Sequence, residues 1–206
     1  MVALDYPALT YLQGCDNQEA MEAQVLRRVF SVEEFHRMAD AGVFVEDDRL
    51  ELLDGEIVRM TPIGSRHAGC VDRLSESLWQ RLSGEAIVRV QNPVLLSRQT
   101  ELYPDIALLK RRPDFYSQSL PQPGDVLLVV EVAETTGDYD RRIKVPRYAR
   151  AGVPEVWVVD LRDRAIDVYR RAVGDEYREQ RRVGLGESLV IPGVPDRRIA
   201  VDEVLA

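Results

Sequence analysis

Lysine is nearly missing from this 206-residue chain, in which 25 basic residues are Arg and only Lys110 and Lys144 are Lys. Cysteine and histidine are equally scarce, with Cys15 and Cys70, His36 and His67. No C-x-x-C or H-E-x-x-H spacing exists, which excludes a structural zinc site and a zincin-type protease. Two free thiols are expected rather than a disulfide. There is no Walker-type or G-x-G-x-x-G phosphate loop. Ser65, Ser75 and Ser77 lack the G-x-S-x-G context of a hydrolase nucleophile. No apolar run approaches the ~18 residues of a membrane span. The first residues, MVALDYPALT, lack the basic-then-apolar layout of a secretion signal. A cytoplasmic protein with no membrane association is expected.

What is present is a globular composition, 45% hydrophobic and 30% charged. The net charge of −8 disfavours a nucleic-acid partner at first sight. Its distribution changes that reading. Residues 1–60 carry 13 Asp/Glu against 5 Lys/Arg, whereas residues 61–206 carry 22 of each. The only dense basic cluster is 141–150, with Arg141, Arg142, Lys144, Arg147 and Arg150 and no acid.

Residues 1–28 read as a polar, partly ordered arm, and 29–206 as a single domain. Ser31-Val-Glu-Glu34 is a capping box, which predicts a helix to about Asp40. Asp54-Gly55 between two short apolar runs predicts a hairpin over 49–60. Apolar residues at 71, 74, 78 and 82 predict an amphipathic helix over 67–82. Trp79 and Trp157 are expected in the core. Strands are expected at 86–91, 93–97, 103–109, 126–132, 156–159 and 165–169, with a proline-rich loop at 111–125. A helix at 138–151 should be kinked or broken at Pro146. The tail from 176 should hold a strand, a turn at Pro192-Gly193 and a short helix at 202–206. Helices before and after a run of strands predict an α/β or α+β sandwich.

Two acids break the apolar pattern. Glu131 lies in Val126–Val132, the most aliphatic strand, and Asp105 precedes Ile-Ala-Leu-Leu. A buried carboxylate is normally paired or metal-bound. Glu131 therefore either meets an Arg near a strand end or forms part of a site. Asp105 either closes a turn or joins it. Two such strands side by side bring two carboxylates together, which suits a hard cation such as Mg²⁺. Lys144 either forms an exposed i,i+4 pair with Asp140 or reaches over this site.

The segments Glu51-Leu-Leu-Asp-Gly-Glu56, Met60-Thr-Pro62, His67, Tyr103-Pro-Asp105, Val130-Glu-Val132, Asp140…Lys144 and Tyr148-Ala-Arg-Ala-Gly-Val-Pro-Glu-Val-Trp157-Val-Val-Asp160 resemble the Uma2 family of restriction-endonuclease-like proteins. The resemblance covers about residues 28–200. It implies a PD-(D/E)XK nuclease fold, in which a central mixed β-sheet is flanked by helices behind an N-terminal helix and β-hairpin. It also implies hydrolysis of DNA phosphodiester bonds with Mg²⁺ or Mn²⁺. Asp105 and Glu131 then match the two motif acids as metal ligands, and Glu51 the upstream acid that completes the site. The motif lysine belongs two residues after the second acid, where this chain has Ala133. Lys144, on the following helix, is its substitute. Lys110 ends the Asp105 strand ~16 Å away at strand rise, too far to act. Arg141, Arg142, Arg147 and His67 are the candidate substrate contacts.

Three functions compete. The first is a divalent-metal-dependent DNA endonuclease, in which a homodimer would serve to cut both strands and the loop 111–123 would touch substrate or a second subunit. The second is a nuclease fold without catalysis, serving as a binding or assembly module, for which Ala133 speaks. The third is a nuclease acting on RNA or branched DNA.

Overall fold

A computed structural model describes residues 27–45, 48–194 and 196–206. The expected arm at 1–28 lies outside these residues except for Arg27 and Arg28, and Cys15 falls outside with it. Helix α1, Val32–Asp40, starts at the Ser31–Glu34 capping box, where both reciprocal hydrogen bonds are present. Strands β1 (Leu50–Leu53) and β2 (Glu56–Arg59) form the hairpin. Its turn needs positive φ at both central residues, which Asp54 (50°) and Gly55 (82°) supply. Helix α2 runs Ser65–Leu82 and is followed by β3, Ala86–Val90.

The strand expected over 103–109 begins only at Ile106, and an unforeseen short strand precedes it. Strands β4 (Val94–Ser97) and β5 (Thr100–Leu102) join the hairpin in a four-stranded sheet ordered β2-β1-β5-β4. After Tyr103-Pro104-Asp105 the chain enters β6, Ile106–Lys110, in a different sheet. Proline has no N–H for a ladder, so the crossing between sheets falls there. Asp105 consequently stands at the mouth of its strand, not among the aliphatics within it.

Strands β7 (Val126–Ala133), β8 (Glu155–Asp160), β9 (Ala165–Val173) and β10 (Glu176–Gly184) complete a six-stranded sheet ordered β10-β9-β8-β7-β6-β3. Only the β7–β8 pair is parallel. Their crossover is helical: a short α3 (Gly137–Tyr139), a π turn over Asp140–Lys144, and α4 (Val145–Ala151). Pro146 sits in the first turn of α4, so the break expected near it appears just upstream, where the Val145 N–H reaches back to the Asp140 carbonyl. The tail adds an unforeseen ribbon of β11 (Ser188–Val190) and β12 (Arg198–Ala200) before α5 (Val201–Leu205).

Alternation along β7 sorts the core into two layers. Leu128, Val130 and Val132 meet α2, Trp157 and the C-terminal helix, whereas Val129 and Ala133 meet α4 and the smaller sheet. Glu131 belongs to the second face. Trp157 is fully buried, as expected, but Trp79 is half exposed. One step past Leu78 on the helix, it is rotated off the buried stripe 71-74-78-82. No helix among the described residues is long and apolar enough to cross a membrane.

Gly55 is the backbone position most tightly constrained by packing, because a Cβ built there would stand 2.5 Å from Val29 Cβ. Gly84, also left-handed at 84°, faces open space. Gly84→Ala should cost about 1–2 kcal/mol from backbone strain alone. Gly55→Ala should cost more, since Val29 must also move. Comparing urea midpoints of the two variants checks this.

Candidate active site: four carboxylates around a buried lysine

The register of β6 on β7 opposes Ile106 to Val130, which sets Asp105 beside Glu131 on neighbouring strands. Asp105 Oδ2 accepts the Val132 N–H at 2.8 Å and pairs with His67 Nε2 at 3.0 Å. Its Oδ1 accepts from Gln91 Nε2 at 3.2 Å. A backbone donor, an imidazole and an amide thus fix this carboxylate from three elements.

Glu131 finds no arginine. The Tyr148 hydroxyl donates to its Oε1 at 2.6 Å, and Lys144 Nζ lies 3.4 Å from the same oxygen. Lys144 also donates to Glu51 Oε1 at 3.0 Å, and the Tyr103 N–H donates to that oxygen at 2.9 Å. The exposed-pair reading of Lys144 therefore fails, since its side chain is 7% exposed and those of Glu51 and Glu131 are 2% and 4%. The helical crossover explains the geometry. Asp140, Lys144 and Tyr148 recur every four residues and so share one helical face. That face lies over the side of β7 that carries Glu131 and Ala133. Ala133 fills the usual lysine position two residues after Glu131, and a Cβ added to Gly137 would stand 3.5 Å from Ala133 Cβ. The lysine arrives from the helix instead.

Asp140, buried and held by the Thr136 hydroxyl at 2.7 Å, is the fourth acid. Burial pushes its carboxyl up, and pushes Glu131 well above the usual carboxylate range. Burial opposes the Lys144 charge, but Glu131, Glu51 and Asp140 together outweigh it and its pKa is raised. Lys144 thus stays an ammonium. His67 is raised by its hydrogen bond to Asp105.

These groups line one cleft of about 400 Å³, walled by the β2–α2 connection and the start of the β7–β8 crossover. Arg49 and Arg59 line it too, with Tyr139, and none of the three was singled out from the sequence. His67 Nδ1 and the Tyr139 hydroxyl are buried without a hydrogen-bond partner among the described residues. No three His, Cys, Asp or Glu groups among the described residues are spaced as a closed cation cage. Mg²⁺ does not require one, because one or two carboxylates plus water suffice. Asp105 and Glu131 side by side fit that demand, and both contacts of Glu131 fall on Oε1.

The other basic candidates lie elsewhere. Arg141 is paired with Asp160 at 2.6 Å and Asp167 at 2.7 Å, and Arg147 with Asp54 at 2.7 Å. Neither lines the cleft. Arg142 alone of the three is exposed. The loop 111–123, expected to touch substrate or a second subunit, leaves the far end of β6 from Asp105 and contributes nothing to the cleft. Lys110, at that end, donates to the Gly124 carbonyl.

Fold and cleft together define an α/β protein whose paired strand acids meet a helix-borne lysine at the edge of a mixed sheet. The chain belongs to the Uma2 family, described as "Putative restriction endonuclease", whose model matches residues 32–202. Among solved structures, an Anabaena variabilis protein described as a "putative nuclease belonging to DUF820" shares the fold with a TM-score of 0.68. The match covers 85% of this chain and 97% of that one at 10% identity. No curated protein matches.

Removing the Lys144 charge should strand two buried carboxylates. Lys144→Met should cost about 3–5 kcal/mol at neutral pH. The loss should shrink at lower pH, because Glu131, whose carboxyl burial pushes up, becomes less costly to bury as it protonates. Adding Glu131→Gln should recover part of it in a denaturation double-mutant cycle.

His67 carries the opposite sign. A raised folded pKa adds stability that is fully present below the unfolded value of about 6.5 and is lost as pH rises through the folded value. The melting-temperature gap between the parent protein and His67→Gln should therefore be wider at pH 6 than at pH 9.

Proposed function

We propose that the protein is a divalent-metal-dependent endonuclease that hydrolyses DNA phosphodiester bonds. The observation that carries this reading is that Asp105 and Glu131 stand side by side on neighbouring strands in an open cleft, with the Lys144 ammonium bridging Glu131 to Glu51 and Asp140 close by. Asp105 and Glu131 would hold Mg²⁺ or Mn²⁺, whereas Glu51, expected to complete the set, instead accepts from Lys144 and the Tyr103 N–H and anchors the lysine. Such an ion, when bound, lowers the pKa of a water ligand and stabilises charge on the phosphate under attack.

The chain's own groups supply positioning and charge. Lys144, within 3.4 Å of both Glu51 and Glu131, would orient the attacking water and offset developing negative charge. Tyr148 and Lys144 fix Glu131 on one oxygen, leaving the carboxylate's direction set before substrate arrives. His67 and the Val132 amide do the same for Asp105. Arg49 and Arg59 at the cleft supply phosphate contacts. Family membership and the shared fold support the same assignment.

Plasmid, single-stranded DNA and structured RNA should be incubated in parallel with the pure protein and Mn²⁺. The plasmid should be cut, and Glu131→Ala or Asp105→Asn should lower the rate about 10²–10³-fold, as loss of a charge-stabilising group does. Equal cutting by the parent and Glu131→Ala, or no cutting by either across pH and metal concentration, would sink the reading. Mn²⁺ should also raise the melting temperature of the parent protein but not of Asp105→Asn. Failure of both assays would favour a non-catalytic module, and cutting of RNA alone would reassign the substrate.

A further inference from the structure

A second cavity, of about 310 Å³, opens beside the cleft on another face of α2. The positions Ser65, Arg66, Gly69 and Arg73 recur at helical spacing and form one wall, while Leu161, Arg164, Leu205 and Ala206 form the other. Three guanidinium groups therefore converge on a space that Gly69 leaves open. The proposed function does not use any of them.

Their hydrogen bonding is incomplete. Arg73 Nε is buried with no partner among the described residues. Neither Arg73 nor Arg164 has a carboxylate within 4.0 Å among those residues. Arg164 donates only a long 3.4 Å contact to the Leu205 carbonyl, and Arg66 a 3.3 Å contact to that of Leu161. Elsewhere the chain satisfies half-buried arginines with acids, as at Arg141, Arg147 and Arg170. A desolvated donor without an acceptor is costly, and a cluster of them is complementary to an oxyanion. The first turn of α2 carries no acid of its own, and the carboxylate nearest its start is Glu134, on the cleft side beside Gly64.

The cavity adjoins the cleft. Gly64 lines the cleft and Ser65 lines the cavity, and Arg66 reaches between them to Glu134, a cleft residue, at 3.4 Å. We infer that this arginine cavity is a subsite for a backbone phosphate of the nucleic-acid strand, flanking the phosphodiester bond that lies in the cleft. The inference rests on the nuclease reading and adds a substrate contact to it. Contacts of this kind set register on the strand and carry no sequence information.

The test is the salt dependence of binding of a labelled duplex, followed by fluorescence anisotropy with Ca²⁺ as the divalent ion. Each phosphate neutralised contributes about 0.9 to the slope of log affinity against log salt. Arg73→Gln/Arg164→Gln should lower that slope by about one unit and weaken binding equally on unrelated sequences. Arg73→Lys should keep most of the slope, and Arg178→Gln, on the exposed edge strand β10, should keep all of it. Matching melting temperatures of the variants would separate lost contacts from lost folding. An unchanged slope in the double variant, with a parent protein that binds and cuts, would overturn the subsite and leave the nuclease reading standing. Stabilisation of the parent by inorganic phosphate, lost in the double variant whose duplex slope is unchanged, would reassign the cavity to a free anion and overturn the backbone assignment. A parent protein that fails to bind duplex at low salt would overturn both.

Discussion

The ammonium of Lys144 is the interaction on which the rest of the site depends. It sits between Glu51 of the small sheet and Glu131 of the large one, and it enters from the helical crossover that joins β7 to β8. Three structural layers therefore meet at one charge. Removing two carboxylates from water is expensive, and the expense is offset only where the geometry is good and the remaining lone pairs are met. Tyr148 and the Tyr103 amide meet them. The same contact fixes how the two sheets face each other, so the cleft and the packing of the protein are specified together.

Under the proposed function, the placement of this lysine separates what the site requires from what it leaves free. A lysine two residues after the second acid points to the same side of the strand as that acid. In this chain Ala133 takes that position and packs beneath the crossover near Gly137. The π turn over Asp140–Lys144 presents Lys144 to the same volume from above. The electrostatic demand is for an ammonium near Glu131, and strand and helix satisfy it equally. Replacing one source with the other also brings in Asp140 and Tyr148, which share the helical face. The migrated lysine thus comes with a fourth acid and a hydrogen-bond donor that a strand lysine would lack.

Much of this was legible in the sequence because the signals are local or chemically expensive. The capping box and the Asp54-Gly55 turn announce α1 and the hairpin. An acid inside Val126–Val132 is conspicuous because its burial demands a partner. The identity of that partner was not local, since Lys144 and Tyr148 are reached only through the crossover. Pairings between distant segments were likewise hidden. Arg141 and Arg147 read as a basic face, but Asp160, Asp167 and Asp54, 19 or more positions away in sequence, neutralise them. Buried Glu101 gave no warning either, and its partner His36, 65 positions away at 2.8 Å, is not a local signal. Trp79 was misplaced for a simpler reason: size suggested the core, whereas helical phase decides the face.

The net charge of −8 bears on this last point. Polyanion binding depends on the charge a phosphate meets locally, not on the total. Four carboxylates against one ammonium make the floor of the cleft repulsive to DNA, while Arg49 and Arg59 line the same cleft and Arg66, Arg73 and Arg164 line its neighbour. A divalent cation on the floor would offset much of that negative charge and let the arginines along the cleft weigh more heavily on a phosphate. In the proposed reaction, metal and strand therefore bind with positive coupling. Each lowers the electrostatic cost of the other, and by linkage the two effects are equal. Under the proposed function, the acids that seem to argue against nucleic acid would make its binding conditional on a divalent metal.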